Sequence, residues 1–322
     1  ALAVVNRMRP QVRTPAGERQ LAKVMDALGL QAEALPLFEH AAEAAPADPD
    51  AWYNLRVARR SMGEGDAARA AFLKALDLDP AHGPAQAALA ALDPRRPEAV
   101  DQLRAARPKA AAARRTQIDY ALFQALDAAG RAEEAWEALM QASAAARRDQ
   151  PWSTEEDRSL VDAIAARFPA RRFAGLGAGG GHPRPIFVVG LPRTGTTLIE
   201  RILAAHSQVT ALGELDTFGA LFSRAAGTRS RIYADPAAIM AADAIDWPAL
   251  GAAYRAETAP FAQWRDVIVD KLPQNWLYAG PIALALPDAR IVQVSRAPMD
   301  ALFGALKQQF RRDHRWSYDL DD

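Results

Sequence analysis

Apolar positions are arranged along this chain in two ways. Over residues 17–147 they fall on helical patterns punctuated by glycine and proline. Over residues 183–322 short apolar runs at 186–189, 209–212, 266–271 and 291–295 each read as a strand, and each leads into a helical pattern. The first pattern predicts stacked helices. The second predicts a mostly parallel sheet covered on both faces, with ligands gathering at the C-terminal ends of its strands. Between them, in 148–182, Trp152-Ser-Thr-Glu-Glu156 predicts a capped helix running to Phe168. Gly175-Leu-Gly-Ala-Gly-Gly-Gly-His182 predicts a flexible linker and the domain boundary. Residues 1–16 carry Pro10, Pro15 and scattered arginines and read as a frayed lead-in, with a helical piece from Val4.

The helical half contains an internal repeat. Leu21, Gly29, Ala34, Phe38, Ala41 and Pro46 recur as Leu55, Gly63, Ala68, Phe72, Ala75 and Pro80, each pair 34 residues apart. Gly29 and Gly63 are expected to end a first helix and Pro46 and Pro80 a second. Ala34 and Ala68 let the two helices approach, and Phe38 and Phe72 fill the space between them. The register degrades after Pro80: 81–92 reads as a helix, Pro94 and Pro97 interrupt, and 98–113 reads as another helix. It returns at Leu122, Gly130, Ala135, Leu139 and Ala142. A 34-residue period is that of tetratricopeptide (TPR) repeats, so 17–147 is expected to form an α-solenoid of three to four helix pairs that binds a protein partner or self-associates.

The chemistry concentrates in Gly190-Leu-Pro-Arg-Thr-Gly-Thr-Thr197, a tight loop between the first strand and a helix expected to bury Leu198, Ile199, Ile202 and Leu203. Strand, glycine loop and helix aim backbone N–H groups and a helix dipole at one anion. Gly190 and Gly195 have P-loop spacing, but Thr196 stands where a nucleotide triphosphatase has lysine, and Arg193 is the loop's cation. Glu214 follows the second strand, Lys271 ends the third and Arg296 follows the fourth, so all three converge with the loop on one sheet edge.

Composition narrows the classes. Lys+Arg and Asp+Glu both number 39, which argues against a large nucleic-acid footprint. There are no cysteines, so disulfides and cysteine-held metals are excluded; nothing requires an oxidising compartment, and the expected location is the cytoplasm. No apolar run approaches the length of a membrane span, and residues 1–20 carry no signal-peptide pattern.

The loop, Gly213-Glu214, Asp270-Lys-Leu-Pro-Gln-Asn275 and Ser295-Arg-Ala-Pro-Met-Asp300 occur in order. With the repeats, they resemble bacterial TPR-containing sulfotransferases, whose catalytic domain is similar to tyrosylprotein sulfotransferases. The resemblance implies a P-loop-like fold of α + α/β class. It also implies a sulfuryl donor, 3′-phosphoadenosine 5′-phosphosulfate (PAPS), used without a metal, and a hydroxyl-bearing acceptor. Pro192, Arg193, Thr194, Gly195, Thr196 and Thr197 would hold the 5′-phosphosulfate, and Arg296 with Ser295 the 3′-phosphate. Glu214 would be the general base; Lys271, with Arg193, would stabilise the leaving phosphate. The acceptor stays open among protein tyrosine, glycan, lipid and small phenol, the repeats favouring a peptide or protein. Structural alternatives stand beside these roles: Glu214 capping a helix or pairing with an arginine, Lys271 pairing with Asp270 or Glu214, Asp300 pairing with Arg296. His206 reads as a turn histidine and reserve base, Glu200 and Arg201 as a solvated helix face.

Two departures from the family pattern stand out. Gly304 occupies the place of a serine that donates to the 3′-phosphate, and the chain stops after Arg315-Trp-Ser-Tyr-Asp-Leu-Asp-Asp322, where the family continues. A sulfotransferase domain incomplete at its C-terminus is therefore expected. The alternatives are a TPR scaffold carrying a degenerate nucleotide-fold domain, which Gly304 and the early stop favour, and a P-loop kinase, which Thr196 disfavours.

Overall fold

A computed structural model describes residues 12, 14–27, 30–80, 82–177, 179–228, 236–262, 265–310 and 314–320. Gly29 and the helical piece expected from Val4 lie outside these. The chain divides into two compact units, 1–150 and 151–322.

The first unit is helical: α1 (Pro15–Ala27), α2 (Gln31–Ala44), α3 (Pro49–Ser61), α4 (Gly65–Leu78), α5 (Gly83–Leu92), α6 (Ala99–Ala106), α7 (Ala112–Ala128) and α8 (Ala132–Asp149). Consecutive helices pair, α1 on α2, α3 on α4 and α7 on α8, while α5 packs on both α6 and α7. The repeated positions fall where the spacing predicts. Leu21, Ala34, Phe38 and Ala41, and their counterparts Leu55, Ala68, Phe72 and Ala75, are all buried. Gly63 and Gly130 follow α3 and α7 with positive φ, and Pro46 and Pro80 lie just beyond α2 and α4. The expected helix over 98–113 is instead broken. Pro108 has no N–H to continue the ladder, so α6 gives way to a 3₁₀ turn (Arg107–Lys109) before α7 begins. Asp50 in α3 ties three helices together, accepting from His82 Nε2 at 3.1 Å and from Arg114 at 2.9 Å.

The second unit holds four parallel strands, β1 (Arg184–Gly190), β2 (Val209–Gly213), β3 (Val267–Lys271) and β4 (Arg290–Val294), in the order β2-β3-β1-β4. Alternate residues of β1 face opposite layers. Val188 joins Val209 and Val269 beneath α10 (Thr196–Ala204), meeting its Ile199 and Leu203. Phe187 and Val189 face the larger core, built by α11 (Thr217–Ala225), α12 (Pro236–Met240), α13 (Trp247–Thr258) and α14 (Ala279–Ala285). Phe187, Phe218, Phe222, Tyr254 and Tyr278 meet there in tilted and edge-on pairs. A last helix, α15 (Pro298–Leu306), follows β4.

Two expectations need revision here. α9 (Thr154–Arg167) forms with Ser153 as its cap, but it packs on α12, and the glycine-rich segment after it lies inside the second unit, where the Gly181 N–H donates to Asp288. On α10, Leu198 and Ile202 are exposed rather than buried, because only the Ile199–Leu203 side of the helix meets the sheet. Among the described residues no helix is long and apolar enough to cross a membrane.

Candidate functional site

The loop between β1 and α10 is shaped by its backbone. A Cβ on Gly190 would overlap the Val294 carbonyl oxygen of the neighbouring strand, so only glycine lets β4 approach at that point. Gly195 caps α10 with φ +105°, and Arg193 also takes a left-handed conformation at φ +66°. A side chain held there is a local strain of the kind that ligand loops carry. Thr194 Oγ1 donates to the Leu191 carbonyl at 2.7 Å, so this hydroxyl braces the loop and its backbone N–H is what remains for a ligand. Pro192 and Thr196 are buried; Arg193 and Thr197 are exposed at the mouth. Arg193 has no carboxylate partner among the described residues.

Strand register brings the other candidates to the same edge. Val188 pairs with Lys271 and Gly190 with Val294, so Ser295 and Arg296 leave β4 beside the start of the loop. Gly213 pairs with Asp270, which sets Glu214 beside the end of β3. There the buried Lys271 Nζ donates to Glu214 Oε1, while most of the Glu214 side chain stays exposed. Of the structural alternatives for these two residues, the pairing with each other is the one present. Arg296 and Ser295 are exposed, and Arg296 Nε lies 3.4 Å from Asp300 one turn on, a solvent-screened contact. Gly304 faces the loop, where an added Cβ would sit 3.1 Å from Arg193 Cβ.

Several residues support the site in ways the sequence did not indicate. Glu200 is buried, not part of a solvated face: its Oε1 accepts the Gly213 N–H at 3.1 Å, fixing the backbone just before Glu214. Asp270 is fully buried, receiving Tyr254 Oη–H at 2.8 Å and Asn275 Nδ2 at 3.3 Å. Burial pushes its carboxyl up to about 7, with the charges of Glu200 and Asp216 adding and the Tyr254 hydrogen bond and Lys271 opposing. His314 lies half-buried against Gln274, with 2.7 Å between their Nε2 atoms, and the Phe310 ring. Burial pulls its pKa down to about 4, against the pull of the Glu214 charge, so a neutral imidazole stands near the candidate base at pH 7. No spacing in the sequence pointed to His314. His206 accepts the Gln208 N–H at 3.1 Å, a turn role.

The second unit is thus an α/β domain whose parallel sheet brings the loop after its first strand and a buried lysine paired to a carboxylate to one edge. Residues 185–322 match the model of the sulfotransferase family, which supports a sulfotransferase-family domain in this part of the chain. An uncharacterized protein of Aquifex aeolicus (strain VF5) is 29% identical over 206 residues, covering 62% of this chain and 27% of that protein. The chain thus spans about a quarter of the length of that relative.

Proposed function

We propose that the second unit moves a sulfuryl group from PAPS to a hydroxyl acceptor, and that the first unit is a TPR-type platform for a protein partner or a second copy. The observation that carries the transferase reading is the Lys271–Glu214 pair at the strand edge shared with the loop. The loop suits the donor. Its N–H groups, the N-terminus of α10, Arg193 and the Thr196 and Thr197 hydroxyls would take the 5′-phosphosulfate, and Arg296 with Ser295 the 3′-phosphate.

In the reaction, the acceptor oxygen attacks sulfur and the bond from sulfur to the bridging phosphate oxygen breaks. Glu214 accepts the hydroxyl proton, and the leaving phosphate oxygen takes up the negative charge. Lys271 links the two events. While Glu214 is a carboxylate it holds the ammonium; once protonated, it releases its hold as charge grows on the leaving oxygen. A cation placed there is worth more in the transition state than before it. A peptide or protein is the acceptor class that a partner-binding helical unit best suits.

Calorimetric titration with 3′-phosphoadenosine 5′-phosphate tests the donor site, with 5′-AMP as the comparison ligand. Micromolar binding that needs the 3′-phosphate, and that weakens about 10- to 100-fold in Arg296→Ala, is expected from one charge-assisted contact. Equal affinity for both nucleotides, or an Arg296→Ala variant that binds like wild type, would overturn the assignment.

A further inference from the structure

At the N-terminal ends of the strands, the edge of the sheet opposite the loop, the second unit holds a cavity of about 590 Å³. Arg184, Val267 and Arg290, the first residues of β1, β3 and β4, line it together with Ile186 and Pro287. Register sets the strand residues on one face. Arg184 pairs with Val267 and Ile186 with Arg290, and Ile186 and Val267 belong to the layer that Val188 shares with α10. Arg184 stands two residues before Ile186, so the two arginines start about 7 Å apart along the strand direction on neighbouring strands, within reach of one ligand. Gly190 lies six residues further along β1, roughly 20 Å away, so the cavity is separate from the loop.

The glycine-rich segment, which lies inside this unit, forms one wall through Leu176, Gly177 and Gly179. An added Cβ on Gly179 would stand 3.1 Å from both the Asp288 backbone nitrogen and its Oδ1, so glycine lets the segment lie flat against Pro287 and Asp288. Charge around the cavity is uneven. Asp288 is the carboxylate of the lining, and its charge is already met by Arg255 Nη2 at 2.5 Å and by the Gly181 N–H at 3.3 Å. The nearby Asp266 faces His182 at 3.7 Å. Arg184 and Arg290 are exposed and have no carboxylate partner among the described residues. The walls beside them are apolar and reach water: Leu176 is 40% exposed, Pro287 is exposed, and Ile186 and Val267 are half-buried. Two unmatched guanidiniums over apolar surface suit a ligand with one anionic group and an apolar body. Such a ligand gains fork hydrogen bonds at one end and removes apolar surface from water at the other.

We propose that this cavity binds a small organic carboxylate, its charged end between Arg184 and Arg290 and its apolar body against Ile186, Val267 and Pro287. The site goes beyond the transfer reaction and does not rest on it, because the donor and acceptor groups stand at the other end of the strands. Its failure leaves the transferase reading untouched.

The test is calorimetric titration of the full chain with sodium 2-naphthoate. The controls are 2-naphthylmethanol, which keeps the apolar body without the charge, and sodium sulfate, which keeps charge without the body, all at matched ionic strength. Naphthoate is expected to bind one to one, and each control at least about tenfold more weakly, since each keeps only half of the recognition. Arg184→Gln and Arg290→Gln should each weaken naphthoate about two- to fivefold, as solvent-exposed charge contacts do, while the thermal unfolding midpoint holds. The two arginines lie on different strands, so if one variant does not fold the other still decides. Saturating 3′-phosphoadenosine 5′-phosphate should leave naphthoate affinity unchanged. A wild type that does not bind naphthoate, an alcohol that binds equally well, or naphthoate affinity unchanged in either folded variant would overturn the proposal. Displacement of naphthoate by the bisphosphate would move it to the loop and overturn the proposal too. Sulfate bound as tightly as naphthoate would assign the arginines to inorganic anions and overturn the organic-carboxylate reading.

Discussion

The two units each bury one long cation, Arg56 at 4% exposure in the first and Lys271 at 5% in the second. Lys271 ends a central strand and reaches a carboxylate from the neighbouring strand; Arg56 sits mid-helix and meets a ring. The difference follows from what each architecture does with a side chain. Register in a parallel sheet places residues of different strands at a common edge, so a charge and its counter-charge can be built from distant segments. A stack of helix pairs holds each residue against its own pair and the next, and the repeated core positions are already filled with Leu, Ala and Phe. The cation buried there, Arg56, rests over a ring instead of beside a carboxylate. Internal pairing suits chemistry that must be ready before the substrate arrives.

That contrast can be broken most sharply at Lys271. Lys271→Ala is expected to cut sulfuryl-transfer turnover by about two to three decades while leaving 3′,5′-bisphosphate affinity within a fewfold, since the contact strengthens only as the phosphate leaves. Turnover that survives the change would reduce the ion pair to a structural one, and the two cations would no longer differ in kind.

A smaller effect should come from beneath the lysine. Asp270 has a folded pKa of about 7, raised from an ordinary carboxyl value, so its native state binds the proton more readily than its unfolded state. The corresponding stability is present below about pH 4 and is lost as pH rises through about 7. Asp270→Asn removes that dependence, and urea midpoints of wild type should fall relative to the variant across this window. Parallel curves would show that Asp270 does not titrate there.

The smallest change is expected at Gly304. A serine there places its Cβ 3.1 Å from Arg193 Cβ, so the exposed arginine must give way by a few tenths of an ångström. The new hydroxyl adds a donor beside the loop, and bisphosphate affinity should tighten by less than tenfold, the arginine's displacement offsetting part of the gain. Weaker binding would mean that Arg193 is already optimally placed.

Much of this was legible in the chain. The strands fall within two residues of the apolar runs; the central β1 and β3, mostly buried, show as uninterrupted runs, while the edge strand β4 keeps its apolar run although largely exposed. The helical repeat was legible because Ala34/Ala68 and Phe38/Phe72 recur at a fixed spacing, and the strand-end placement of Glu214, Lys271 and Arg296 followed from alternation alone. What stayed hidden depends on tertiary direction. Glu200 lies on the same short helix as exposed Leu198 and Ile202, and neither the carboxylate turned toward Gly213 nor the two apolar side chains turned toward solvent follow from helical period. Arg56 looks like any surface arginine in a charged helix, and only the packing of α3 on α4 buries it. His314 enters the site from a segment with no motif of its own.

The contact between Gly190 and the Val294 carbonyl carries one more consequence. Because the two strands meet there backbone against backbone, the gap from the loop to Arg296 is gauged by the main chain. No choice of side chain at that point can lengthen or shorten it. The available adjustment is a slip of β4 by a whole residue, about 3.3 Å, which would turn every one of its side chains to the opposite face. The separation between the two proposed anion positions is therefore quantised. A lineage that kept this sheet could alter the groups that grip each anion by small steps, but could move the anions apart only by a jump.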